Sequence, residues 1–393
     1  MFDYFEWGNN VLEKGLSGGY WGGYFPIQYQ LFALFSWVSR IVGENHWIEV
    51  YKIFNLVFEI GVFVLLVKLL DKLRINKNYS FMFWLHPWFL LTFSQGFVDA
   101  HFTFFVLLST ILLFDNAKKR LSGYVIAGAP FAIAFLLKPQ ILMLFFALIV
   151  FFVFISLRYK TWKNLMFFVP TLVLYFSYSA YFALKYFFSI LINRNIHDLV
   201  YSLLILTNSY LATLNKLPCL TCSMPNIWYP IANILSNGQP VYMVTSRMSI
   251  AGKVSVETIV LLAVVFLIVH HCYLLLNAKN FEVPEKVLRL FLFTSLLVPF
   301  LMTGAHVNHP YLGTILLILY MAKFKNRLFR IAGNILLFAL AGYLYGAYGI
   351  GASFVGTPNL IRQIPLVYFA FASIVGFAYV LFYLFKNALN KAD

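Results

Sequence analysis

Apolar runs of roughly 18 to 22 residues recur along this chain from one end to the other. As a helix, each run is long enough to cross a hydrocarbon core about 30 Å thick. Because lipid offers the backbone no hydrogen-bond partners, such runs must form helices, and they lack the alternating pattern of a membrane β-barrel. The sequence therefore predicts an all-α fold, a polytopic transmembrane helical bundle.

The composition leaves no room for a sizeable soluble domain. Of 393 residues, 62% are hydrophobic and 11% are charged, with a mean hydropathy of +0.80; about a quarter of a soluble domain is charged. Twenty-nine Lys and Arg against 14 Asp and Glu give a net charge of +15. These positive residues lie mostly in short loops between the apolar runs, which indicates orientation in a membrane rather than nucleic-acid binding.

About eleven spans are predicted, near 50–70, 79–95, 97–114, 122–137, 140–157, 165–184, 256–276, 287–303, 309–322, 331–348 and 364–385. Alternate connecting segments collect the positive charge. Those at 68–77, 115–122, 158–164, 277–289, 322–331 and 386–393 hold 19 of the 29 Lys and Arg in 56 residues. The positive-inside rule places these segments and the carboxyl terminus in the cytoplasm, and the amino terminus outside.

The spans divide the chain into four parts. Residues 1–50 are predicted to be an outer amino-terminal loop with interfacial helices, and 51–184 an amino-terminal transmembrane module. Residues 185–255 form an outer loop region, and 256–393 a carboxyl-terminal transmembrane module. The apolar segment 26–42 is long enough for a twelfth span, but the Trp and Tyr residues around it favour an interfacial or re-entrant helix.

Polar residues near membrane depth are the candidates for function. Asp99 and His101 lie at a predicted outer turn, where Asp99 can serve a cavity, cap the next helix, or do both. Lys138 and Gln140 flank Pro139 at another outer turn. There a lysine can snorkel to headgroups or bind a phosphate beside a helix N-terminus.

A third outer turn carries His306 and His309 just before Tyr311. Two histidines three residues apart can bind a metal, but no carboxylate accompanies them nearby in sequence, which favours contact with a phosphate or sugar. Glu59 lies in the middle of an apolar run. It is therefore expected to be protonated or to face a polar partner, more often as a structural bond between helices than in a proton pathway.

The three cysteines predict a structural clip on the outer face. Cys219 and Cys222 are three residues apart in the outer loop, and no second such pair is present to complete a zinc site. Signatures of nucleotide-binding and serine-hydrolase folds are absent, so a nucleotide sugar handled on a cytosolic fold is not expected.

Several short motifs follow one another along the chain, all on the predicted outer side of the membrane. They are Asp-Tyr-Phe-Glu-Trp at 3–7, Gly-Tyr-Phe-Pro-Ile-Gln-Tyr at 23–29, His-Pro-Trp at 86–88, Gly96 with Asp99, Lys-Pro-Gln at 138–140, Asn-Ile-Trp-Tyr at 226–229 and His-Val-Asn-His-Pro-Tyr at 306–311. Their order resembles the GT-C superfamily of membrane glycosyltransferases. The chain is most similar to prokaryotic relatives of the GPI-anchor mannosyltransferases (PIG-V type) and of the dolichyl-phosphate-glucose glucosyltransferases.

The resemblance implies an enzyme that transfers a hexose, with mannose favoured, from a polyprenyl-phosphate carrier to an acceptor hydroxyl on the outer or lumenal face. The position of the family's catalytic base corresponds to Asp3, with Glu6 close behind. Asp99, His101 and Glu6 would then lie on the acceptor side, where Asp99 orients the acceptor or holds a divalent cation such as Mg²⁺ or Mn²⁺. The residues expected to contact the phosphate and lipid-linked sugar are Lys138, Gln140, Arg247, His306, His309 and Tyr311.

Three departures from the family pattern stand out. Relatives have a span before the base, whereas Asp3 is the third residue here, so a first span is either absent or missing from the assigned start. The second proline of the family's Tyr-Pro-Pro is displaced at Tyr24-Phe25-Pro26. The turn at 306–311 also lacks the acid and base that relatives carry.

The rival function is a transporter or flippase of lipid-linked saccharide, which needs the same lipid groove but places its polar residues near the membrane midplane. The predicted partners are a polyprenyl-phosphate-linked sugar donor, a lipid-linked glycan, glycolipid or protein acceptor, and membrane lipids, with no nucleic acid. The compartment follows the host and is the cell membrane in a prokaryote or the endoplasmic reticulum membrane in a eukaryote.

Overall fold

A computed structural model describes most of the chain. The described residues are 2–20, 23–116, 121–193, 206, 219–222, 224–237, 243–246, 249–250, 254–278, 281–348 and 364–389. They are almost entirely helical, and the strands among them are one antiparallel pair, β1 (Ser249–Ile250) and β2 (Val254–Ser255). The predicted all-α class is therefore confirmed apart from this pair of two-residue strands.

The helices follow the predicted apolar runs. In the first half of the chain they are α1 (Phe2–Gly19), α2 (Pro26–Val42), α3 (Trp47–Lys72), α4 (Phe81–Leu85), α5 (Pro87–Gln95), α6 (Asp99–Asn116), α7 (Leu121–Phe135), α8 (Ile141–Tyr159) and α9 (Val169–Asn193). In the second half they are α10 (Trp228–Leu235), α11 (Val256–Asn277), α12 (Val283–Leu301), α13 (Tyr311–Lys323), α14 (Arg327–Tyr348) and α15 (Leu366–Leu389). Short 3₁₀ helices lie at Glu44–His46, Lys77–Ser80 and Lys163–Phe168.

Six helical segments in the described part of the chain are long and apolar enough to cross a membrane: Glu44–Lys72, Ile141–Tyr159, Lys163–Leu184, Val256–Asn277, Arg327–Ala347 and Leu366–Ala388. They support an integral membrane protein. The other predicted spans are also helical, but differ in length, continuity or charge. For example, the span at 79–95 is broken at His86–Pro87 into α4 and α5, and α13 has only 13 residues. The count of about eleven spans stays a prediction.

The chain divides into two compact units that interleave along the sequence. The first comprises Met1–Gly61, His101–Leu142 and Trp162–Lys216, and the second Val62–Ala100, Met143–Thr161 and Leu217–Asp393. The four-part division predicted from the sequence follows spans and loops along the chain, whereas these units group residues that contact one another. The four-part division therefore stays a prediction.

In the first unit, α1 packs along α2 through small and aromatic residues. Gly8 lies so close to α2 that an added Cβ would overlap the carbonyl oxygen of Phe32. The ring of Tyr4 stacks on Phe32 with 4.8 Å between centroids, and Ser36 Oγ donates to the Phe5 carbonyl. The sequence predicts a surface helix here with Trp7, Val11, Leu12 and Leu16 on one face. Val11 and Leu16 are buried, but Trp7 is half-buried and Leu12 is 37% exposed, so only part of that face packs inward.

In the second unit, α14 and α15 approach closely along a row of glycines. Gly342 and Gly346, four residues apart on α14, meet Phe369 and Leu366 of α15, and Gly376 of α15 meets the α14 backbone. Small residues at this spacing let membrane helices pack with their backbones close together. A buried charge group fixes α12 to α13, because Glu285 accepts from Arg289 at 3.3 Å and from Lys323 at 2.5 Å.

Substitution of Gly128 tests the packing of the first unit. An added Cβ at Gly128 of α7 would overlap the carbonyl oxygen of Phe167, which is backbone and cannot rotate away. We expect Gly128→Val to destabilise the protein by about 1–3 kcal/mol or more. The fraction of protein that stays monodisperse after heating in detergent reports this loss of stability. Ala129→Val adds similar bulk at an exposed neighbouring position and should melt like the wild type; equal melting of both variants would contradict this packing.

Candidate functional site

Asp99 and Asn308 join two turns of the second unit that are far apart in sequence. Asp99 begins α6 and is 1% exposed, and its Oδ2 accepts a hydrogen bond from Asn308 Nδ2 at 2.6 Å. A buried carboxylate is stable only when donors compensate the water that it loses. Asn308 supplies such a donor, so this pair positions the turn that carries His306 and His309.

The hydrogen bonding of His309 bears on the choice between a metal and a phosphate. The backbone N–H of His306 donates to His309 Nδ1 at 3.2 Å. This bond occupies the lone pair of Nδ1, so the neutral ring carries its proton on Nε2. A ring in that state presents an N–H donor, which suits a phosphate or sugar oxygen better than a metal ion.

The predicted disulfide forms and braces the same turn. Cys219 and Cys222 are bonded to each other, which confirms the structural clip. The loop between them pairs with the histidine turn: Gly304 N donates to Cys219 O at 3.0 Å, and Cys222 N donates to Ala305 O at 3.1 Å. The clip therefore holds the segment immediately before His306 through backbone hydrogen bonds.

Asn226 extends this brace to the end of α12. Its Nδ2 donates to the carbonyls of Pro299 and Met302, while its Oδ1 accepts from the backbone N–H of Trp228. Trp228 Nε1 in turn donates to the Leu301 carbonyl. The carbonyls at the carboxyl end of a helix lack intrahelical partners. The Asn-Ile-Trp motif satisfies them here, which gives it a structural role.

The first unit contains a second buried polar group, formed by Gln28, His101 and Lys138. Gln28 Nε2 and His101 Nδ1 are 3.2 Å apart, and all three side chains are almost fully buried. Lys138 Nζ lies 5.9 Å from the centre of the Phe102 ring. In the described part of the chain, His101 Nε2 and Gln28 Oε1 have no hydrogen-bond partner. Buried polar atoms of this kind are normally satisfied by water or a ligand.

The segment that begins α2 connects this polar group to α1. The backbone N–H groups of Phe25 and Ile27 donate to the carbonyls of Leu137 and Leu136, directly before Lys138. Tyr24 Oη lies 3.3 Å from Tyr4 Oη. Hydrogen bonds therefore tie this one segment to the residue after Asp3 and to the turn of Lys138.

Asp3 and Glu6 are both exposed on the first turns of α1. Neither makes a hydrogen bond or an ion pair with the residues that the structure describes. Asp3 is thus available to a substrate that approaches α1, while Tyr4 fixes the helix beside it.

The other predicted residues have varied surroundings. Gln140 is half-buried just before α8, and Tyr311 is buried at the start of α13, where its ring lies 6.0 Å from Phe89. Glu59 is buried in α3, one turn from the buried Asn55. Arg247 lies outside the described residues. Gln28 was not among the predicted site residues, although it belongs to the motif at 23–29.

Comparisons with known proteins do not assign the chain to a family. No protein-family model matches it, and no curated protein or solved structure does either. Within the residues described, no group of three or more His, Cys, Asp or Glu side chains is arranged to hold a metal ion. The glycosyltransferase resemblance and the divalent cation both stay predictions.

Removal of the disulfide by substitution tests whether it holds the turn before His306 in place. We expect the double variant Cys219→Ser with Cys222→Ser to exchange the backbone amide hydrogens of residues 222 and 304 faster than the wild type. The loop that forms the hydrogen bonds of these two amides is no longer held by the disulfide. Hydrogen–deuterium exchange of the peptides covering 219–229 and 299–309 measures this. Cys272→Ala is the control, since Cys272 is buried in α11 outside the clip. Unchanged exchange at Gly304 in the double variant would contradict a bracing role.

Proposed function

We propose that this protein is a membrane glycosyltransferase of about eleven spans that acts on its outer face. It transfers a hexose, with mannose favoured, from a polyprenyl-phosphate carrier to an acceptor hydroxyl with inversion. The observation that carries the proposal is the set of hydrogen bonds formed by the segment 24–28 of the first unit. Hydrogen bonds connect it to Tyr4 beside Asp3, to the residue before Lys138, and to His101.

The polar group of the first unit supplies the chemistry that a phosphate-linked sugar requires. A buried Lys138 provides a cation, and His101, with Nδ1 directed to Gln28, provides an N–H donor at Nε2. Gln28 Oε1 provides an acceptor for a sugar hydroxyl. Charges and dipoles fixed away from water stabilise developing charge more strongly than water-exposed groups do.

In the proposed reaction, Asp3 removes the proton of the acceptor hydroxyl as its oxygen attacks the anomeric carbon. The bond between that carbon and the phosphate oxygen breaks, and its electron pair stays on the carrier phosphate. Lys138 compensates the charge that appears there. General-base catalysis is worth about 10²–10⁴-fold, and alignment of the two substrates contributes further.

The second unit contributes a separate polar group to the proposal. Asp99, held by Asn308, is assigned to orient a hydroxyl group, and the Nε2–H of His309 is assigned to bind a phosphate or sugar oxygen. These roles rest on the hydrogen bonds of that turn. Gln140, Arg247, His306 and Tyr311 keep the binding roles that the resemblance implies.

Transfer of labelled mannose or glucose from a polyprenyl-phosphate carrier in membranes tests the proposed function. We expect Asp3→Asn to lower the initial rate by about 10²-fold or more, because the base is lost, and Lys138→Gln to lower it about 10²-fold. Glu13→Gln is the matched control, since Glu13 is an exposed acid on the same helix that pairs with Arg40. Full activity of Asp3→Asn would remove the base from this mechanism.

A transporter or flippase is the second candidate, and buried Glu59 favours it. A carboxyl group in the middle of a candidate span is costly, and although it more often forms a structural bond between helices, it can also belong to an ion-coupled pathway. This function predicts that Glu59→Gln abolishes movement of a lipid-linked saccharide between leaflets. Absence of sugar transfer from any donor, combined with such Glu59-dependent movement, would replace the enzyme proposal.

A further inference from the structure

Two cationic side chains of the second unit converge where three helices end or begin. Arg158 lies in the last turn of α8, Lys286 in the first turn of α12, and both reach the carboxyl end of α11. Arg158 Nη1 lies 3.5 Å from the Leu276 carbonyl oxygen and 2.5 Å from Asn277 Oδ1. Lys286 Nζ lies 3.4 Å from the same Leu276 oxygen. The two positive groups therefore share one acceptor.

The shared acceptor does not neutralise the pair. The carboxyl end of a helix carries only about half a negative charge, against two full positive charges here. In the described part of the chain, neither Arg158 nor Lys286 forms an ion pair. The adjacent acid, Glu285, is bound instead to Arg289 and Lys323. Two unmatched like charges held this close favour a bound anion.

The titration of Lys286 agrees with an unmatched pair. Burial of its side chain, and then the charge of Arg158, lower the pKa of Lys286 to about 8. An anion beside the ammonium group would offset both effects, because it favours the charged form. The residues around Lys286 therefore do not supply enough negative charge to balance its ammonium group.

The surface around the pair suits a lipid. Arg158 is exposed, and so are the apolar or aromatic side chains of Leu157, Tyr159 and Tyr273 on α8 and α11. Tyrosine at helix ends is typical of the headgroup region. The sequence places this end of the helices in the cytoplasm, where anionic lipids bind basic pockets between membrane helices.

We propose that Arg158 and Lys286 bind the phosphate of an anionic phospholipid headgroup. Arg158 meets the phosphate from the exposed side, Lys286 from the buried side, and the acyl chains lie along Leu157 and Tyr273. The site lies in the second unit and requires none of the residues assigned to sugar transfer.

Lipid-dependent thermal stability of the full chain in nanodiscs tests this site. The wild type is expected to melt at a higher temperature as phosphatidylglycerol replaces phosphatidylcholine, and Arg158→Gln with Lys286→Met should lose most of that rise. Lys160→Gln removes a neighbouring exposed lysine and should respond like the wild type. An equal response of the double variant would overturn the proposal.

Two further arms keep the result interpretable. If the double variant does not fold, Arg158→Gln alone carries the test, because Arg158 is exposed; we expect it to need at least several-fold more phosphatidylglycerol for half of the effect. Inorganic phosphate added to phosphatidylcholine nanodiscs separates lipid from free phosphate. Stabilisation of the wild type by inorganic phosphate to the same extent would overturn lipid as the ligand.

Discussion

The structure depends on the requirement that every backbone polar group in hydrocarbon finds a partner within the protein. That requirement turns the apolar runs into helices and leaves only their ends and breaks for polar side chains. Asp99, Lys138 and His309 all lie at such positions, next to α6, α8 and α13. The same places offer unpaired backbone groups, which is why the candidate site residues lie at helix termini.

Polar groups at these positions are fixed by long-range contacts. Asp99 is held by Asn308 in the second unit, and His101 lies against Gln28 in the first. The disulfide and Asn226 add backbone bonds around the turn before His306. Buried networks of this kind keep side chains in a single geometry, which catalysis and specific binding both require.

Hydropathy and charge predicted the helices well because both are local properties of the chain. The break at His86 was missed, since an apolar run of the right length does not reveal that Pro87 starts a new helix there. The pairings of Gln28 with His101 and of Asn308 with Asp99 were also beyond the sequence, because no periodicity relates residues so far apart. The motifs at 23–29 and 306–311 nevertheless contained both amides.

We propose that the turns carrying the candidate site residues share one side of the membrane, opposite the Arg158–Lys286 pair. Labelling of single-cysteine variants with a membrane-impermeant maleimide, before and after permeabilisation, measures this directly. Gln140→Cys and Asn233→Cys should label together on one side, and Lys160→Cys and Lys325→Cys together on the other. Labelling of positions 140 and 160 from the same side would contradict the account, because α8 would then not cross the membrane.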